Sequence, residues 1–148
     1  MTTTSEERAA EGFADAWDAF VLAIRRGQAR AKQSPDDLTL AQYYLLKPLA
    51  RGDELPLWEL AESAGIAAPT ATRIIDGLER DGLLRRERSK RDRRTVLVSL
   101  TPEGRKRVQR KWRQLKQRRE RLYEQLEPGE REQSERLLRH LAELVGHL

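Results

Sequence analysis

At 148 residues, with 36% charged and 38% hydrophobic side chains, the chain is the size of one ordinary domain with more solvated surface than a compact sandwich. The absence of cysteine excludes disulfides, thiol nucleophiles and thiol-based redox sensing, and no apolar run approaches the roughly 18 residues of a membrane span. The net charge of +5 is segregated: residues 1–84 hold 9 basic and 14 acidic side chains, residues 85–121 hold 17 and 4, and residues 122–148 hold 3 and 6. A basic segment between two acidic ones is the footprint of a protein that meets an anionic polymer, a solvated Arg-rich helix face being the alternative. The opening MTTTSEERAAEGF has no basic-then-apolar export pattern, so a cytoplasmic protein without membrane contact is expected.

Ser5, followed by Glu6 and Glu7, suits a helix start: a capping hydroxyl, then acids in the positive first turn. Phe13, Trp17, Phe20 and Ile24 follow at helical spacing, and the helix is expected to end before Ser34–Asp37. Thr39 can cap a second helix that stops near Arg51-Gly52. Leu57 to Ala64 reads as a short third helix ended by Gly65. Pro69 opens a fourth, where its missing N–H costs nothing, and Gly82 ends it. Val96, Val98 and Leu100 alternate with Thr95, Leu97 and Ser99 as in a strand, with Leu83–Arg88 as its antiparallel partner. Thr101-Pro102-Glu103 starts a long helix carrying Val108, Trp112, Leu115, Leu122 and Leu126. After Glu127-Pro128-Gly129 a final helix shows Leu137, Leu141, Leu144 and Leu148. Terminal stripes this strong, this far from the central unit, favour burial against a partner chain.

The stretch LWELAESAGIAAPTATRIIDGLERDGLL has the grammar of a helix-turn-helix. Ala61 is small where two helices approach, Gly65 permits the turn and Ile66 is an apolar plug. Ala71, Ile74, Ile75 and Leu78 form the inner face of the second helix. That phase turns Pro69, Thr72, Arg73, Asp76 and Arg80 outward, with Thr70 at the margin. Pro69, Thr70, Thr72 and Arg73 thus suit the DNA-facing first turns of a recognition helix, where the dipole favours phosphate, with Pro69 as a helix starter more than a base contact. The planar fork of Arg73 suits guanine O6 and N7; a phosphate clamp, or an ion pair with Asp76 or Asp92, is the alternative. Asp76 is expected to be paired, since a free carboxylate there would repel phosphate. Arg86, Arg88, Lys90 and Arg91 suit phosphate contacts, which add affinity without sequence information. The charges from Arg105 to Arg121 suit a solvated face or pairing with the acidic terminal helices, although the first turn of that helix could meet backbone.

Asp92, Arg94, Val98, Leu100 and Thr101 fill every fixed position of D-x-R-x-x-x-V-x-L-T, and with PTATRIIDGLERDGLL and TPEGR around them the chain resembles the MarR family of winged helix-turn-helix regulators. The resemblance implies a mainly α fold with a small two-stranded β wing. It implies a DNA-binding region at 35–101, and N- and C-terminal helices (1–34 and 102–148) that form a homodimer. It places the recognition helix in the major groove of double-stranded DNA and Arg93 or Arg94 in the adjacent minor groove, with Asp92 as a structural acid that fixes the wing's basic side chains. It also implies a small aromatic or anionic ligand, for which Trp17, Phe20, Tyr43, Tyr44 and Trp58 are candidate lining residues; aromatics at helical spacing are more often core. Arg25 and Arg26 could receive an anion, or lie at the surface.

His140 and His147 lack an accompanying carboxylate-histidine set, so no metal site is expected, and no cofactor motif is present. No nucleophile–base set or Gly-rich phosphate loop points to an enzyme. The expected function is that of a sequence-specific transcriptional regulator, a repressor modulated by a small ligand. The competing expectation is a non-enzymatic structural DNA- or RNA-binding protein without sequence preference.

Overall fold

The computed structural model describes residues 4–30 and 36–147, and in it the first helix (α1, Ser5–Arg30) is capped by Thr4 rather than Ser5. The Thr4 N–H donates to the Glu7 carboxylate at 2.6 Å and the Glu7 N–H donates to the Thr4 hydroxyl at 3.3 Å, a reciprocal capping box. Ser5 already lies inside the helix. The expected break at Ser34–Asp37 falls partly outside the described residues.

Thr39 caps the second helix (α2, Leu40–Leu46) through a second such box with Gln42. Pro48 cannot donate to a continuing α-helical ladder, so the chain tightens into a 3-10 turn over Lys47–Arg51. A two-residue strand (β1, Leu55–Pro56) precedes α3 (Leu57–Ala64) and α4 (Ala68–Arg80). β2 (Leu84–Arg88) and β3 (Val96–Leu100) form the wing, followed by α5 (Pro102–Glu124) and α6 (Pro128–Gly146).

The sheet has three antiparallel strands in the order β1-β3-β2, not two. Leu55 lies opposite Val98, and Leu84 to Arg88 run opposite Leu100 to Val96. A two-residue strand ending in proline leaves no alternation to read, which is why β1 is invisible in the sequence.

Residues 1–108 and 109–148 form two compact units. Among the described residues every buried apolar side chain belongs to the first. They include Tyr43, Leu45, Leu46 and Leu49 around α2, Leu60 and Ala61 on α3, Ala71, Ile75 and Leu78 on α4, and Leu83, Leu84, Val98 and Val108. At an order of about 2 kcal/mol per buried large aliphatic side chain, this cluster holds the recognition elements rigid.

The start of α5 is pinned into the same unit. Thr101 donates its hydroxyl to the Gly82 carbonyl at 2.7 Å and accepts the Gly104 N–H at 3.1 Å, while its own N–H donates to the Leu83 carbonyl at 3.1 Å. Gly104 sits so close that a Cβ there would overlap the Leu83 carbonyl. This contact accounts for the glycine of the TPEGR stretch.

Candidate nucleic-acid interface

The α3–α4 turn follows from two residues. Gly65 adopts φ 62°, a left-handed conformation that side-chain-bearing residues avoid, and ends α3. The Ile66 N–H then donates to the Ala61 carbonyl at 2.9 Å, with Ile66 half-buried. Helix α4 buries Ala71, Ile75 and Leu78 and exposes Pro69, Thr70, Thr72, Arg73, Asp76 and Arg80. Pro69 occupies the first turn, leaving the remaining free N–H groups of that terminus toward solvent. The Thr72 hydroxyl donates back to the Ala68 carbonyl at 2.9 Å, which leaves its oxygen lone pairs outward.

Arg73 forms no ion pair with any described residue. Both acids that could have held it are engaged elsewhere: Asp76 binds Arg86, and Asp92 binds within its own turn. Of the alternatives open at Arg73, the intramolecular ion pair is absent. Its guanidinium stands exposed on α4 with its donors uncommitted to described acids.

The wing turn is closed from within. The Ser89 N–H donates to the Thr95 carbonyl and the Thr95 N–H to the Asp92 carbonyl, each at 2.9 Å. The Ser89 hydroxyl accepts the N–H groups of Arg91 at 3.2 Å and Asp92 at 3.4 Å. The Asp92 carboxylate accepts the Arg94 N–H and the Thr95 hydroxyl, each at 3.0 Å. Asp92 therefore holds main chain and a threonine, not the basic side chains the resemblance implied. Arg88, Lys90, Arg91, Arg93 and Arg94 are all exposed, and none pairs with a described acid. Ser89 and Thr95 were missed as wing-ordering residues; the Ser-x-x-Asp spacing before a strand was their available signal.

Arg86 differs from its neighbours. Expected among the phosphate contacts, it is half-buried, its terminal Nη2 bonded to Asp76 and its Nε 3.3 Å from the Glu79 carboxylate. Nε forms an ion pair but no hydrogen bond with Glu79, so Asp76 is the principal partner. The expected pairing of Asp76 is thus present, with Arg86 as its cation. With Asp76 half exposed, such a pair contributes about 0–1 kcal/mol to stability.

Arg105, at the start of α5, donates to the Ala50 carbonyl at 2.8 Å and is a structural tie. The candidate ligand aromatics have divergent surroundings. Tyr43 is 2% exposed and belongs to the core, with Tyr44 packed edge-on against it at 5.3 Å. Trp17 lies 6.1 Å from Phe13 on α1, whereas Phe20 and Trp58 are 52% and 62% exposed. Among the described residues no three His, Asp or Glu side chains cluster as metal ligands, and no helix is long and apolar enough to cross a membrane.

A helix-turn-helix with an exposed recognition face, followed by a cation-rich ribbon, defines the winged helix-turn-helix class of DNA-binding proteins. A family model described as MarR family matches residues 38–96, the stretch from α2 to the wing. The chain is 30% identical over 148 residues to the HTH-type transcriptional regulator YhbI of Bacillus subtilis, covering 98% of this chain and 91% of that one. In three dimensions it is similar to the Bordetella bronchiseptica regulator BpsR, whose DNA binding is regulated by 6-hydroxynicotinic acid: TM-score 0.70, 28% identity, 86% of this chain and 98% of that one. It is also similar to the transcriptional repressor CouR bound to a 23-mer DNA duplex: TM-score 0.67, 32% identity, 83% and 89% of the two chains. The chain belongs to the MarR family and is a DNA-binding transcriptional regulator.

Proposed function

We propose that the protein is a cytoplasmic homodimeric repressor, without catalytic activity, that binds a two-fold symmetric duplex site and releases it when a small aromatic or anionic molecule binds. Arg73 on the exposed face of α4, paired with no described acid and in the same compact unit as a wing whose Arg88, Lys90, Arg91, Arg93 and Arg94 are likewise unpaired with described acids, carries this reading. In it, Pro69, Thr70, Thr72 and Arg73 meet the major groove. Arg93 or Arg94 enters the minor groove, where narrow width concentrates negative potential. Arg88, Lys90 and Arg91 meet phosphates.

Dimerisation through 1–34 and 102–148 is supported by the apolar side chains those helices leave in solvent, among them Phe13, Phe20, Trp112, Leu122, Leu137, Leu138, Leu144 and Val145. Release by a ligand is supported by the likeness to BpsR and its response to 6-hydroxynicotinic acid. Selection of bound fragments from the source genome, repeated with aromatic carboxylates, tests the whole. The expected result is a short inverted repeat whose affinity falls when the right compound is present. Equal binding to unrelated duplexes would instead support the architectural role.

Within the selected site, Arg73→Ala should cost about 1–3 kcal/mol and relax preference at one base pair per half-site, as a base-resolved binding profile would show.

A further inference from the structure

We propose that Arg86 is a positioning residue, which clamps the wing to the recognition helix rather than contacting DNA. The inference rests on the reading above, in which α4 and the wing approach one duplex together.

On β2 the side chain of Arg86 follows Leu84 onto the inner face of the ribbon, opposite the fully buried Val98. From there it reaches α4. Asp76 and Glu79 lie three residues apart on that helix, so their carboxylates stand on one side of it. The guanidinium straddles them: Nη2 takes Asp76, and Nε faces Glu79 at 3.3 Å. Nε is sealed from solvent and Nη2 is held by Asp76, so the Nε–Nη2 edge of the fork is turned to α4. Asp76 lies one turn beyond Arg73 on the exposed side of α4. The clamp therefore joins the base-reading helix to the ribbon and neutralises an acid that would otherwise oppose the duplex. Arginine suits this task because its rigid planar fork spans two acceptors; a lysine ammonium keeps the charge but loses the geometry.

The experiment uses a duplex selected from a random-sequence pool by the full-length wild-type protein, with affinities and hydroxyl-radical footprints measured for variants of matched thermal stability. Arg86→Gln is expected to weaken binding by roughly tenfold, losing protection at the outer flanks where the wing sits and keeping it at the centre. Arg86→Lys is expected to lose flank protection nearly as fully. The pair Asp76→Asn with Glu79→Gln removes two negative charges, yet is expected to weaken binding, and adding Arg86→Gln should cost little more. Tighter binding on loss of the acids, or losses that multiply, would make Arg86 a phosphate contact and overturn the clamp. So would wild-type binding followed by unaltered flanks in Arg86→Gln. A wild-type protein that selects no duplex would remove the regulator reading, and the clamp with it.

Discussion

Asp92 is an acid in a turn of exposed arginines, and its value lies in what it accepts rather than in what it repels. With its carboxylate gone, the Arg94 N–H and the Thr95 hydroxyl lose their acceptors and the turn that aims the arginines loosens. Releasing one backbone residue is worth about 1–2 kcal/mol of ordering entropy. Asp92→Ala should therefore weaken duplex binding by roughly tenfold although it makes the wing more positive, as titration of a selected duplex would show. Asp92→Asn keeps one carbonyl acceptor and should fall in between. That an acid mattered here was legible in the sequence from the D-x-R pattern. Its partners were not, because Asn- and Asp-type turns bond to whichever main-chain N–H the local backbone presents. The pairing of Arg86 with Asp76 was not legible for a related reason. Composition shows a run of cations, but only the strand register separates the one facing α4 from those facing solvent.

Among the elements, helices announced themselves wherever capping chemistry and apolar periodicity agreed, as at Thr39 of α2 and across α4. Boundaries shift where the two diverge: Thr4 caps α1 in place of Ser5, and Pro48 converts the end of α2 into a 3-10 turn. The junction between wing and α5 shows a constraint that no periodicity carries. Because a side chain at position 104 would collide with the Leu83 carbonyl, Gly104→Ala must push α5 away from β2. Forced overpacking of this kind should lower the unfolding free energy by about 1–3 kcal/mol, measurable by urea denaturation. Thr101→Val, which removes the cap and the bond to Gly82, should lower it by about 1–2 kcal/mol in the same assay.

For the whole molecule, burial and charge are divided along the chain. The first unit holds the described apolar core, while α6 keeps Leu137, Leu138, Leu144 and Val145 in solvent. Leu137→Lys with Leu144→Lys should leave the helix-turn-helix folded but shift the protein to monomer, seen by sedimentation, and should cost at least roughly 100-fold in affinity for a two-half-site duplex. The wild-type complex should also lose about 10³ in affinity between 50 and 200 mM salt if each dimer engages about six phosphates. The three-stranded sheet carries a quieter consequence. An open sheet has two outer edges, and each is a template on which a neighbouring molecule can add strands. Here one edge is a two-residue strand ending in Pro56, which has no N–H to offer, and the other is the arginine-rich β2. A crowd of these molecules on one stretch of duplex should therefore stay discrete, each wing ending its own sheet instead of seeding a fibre.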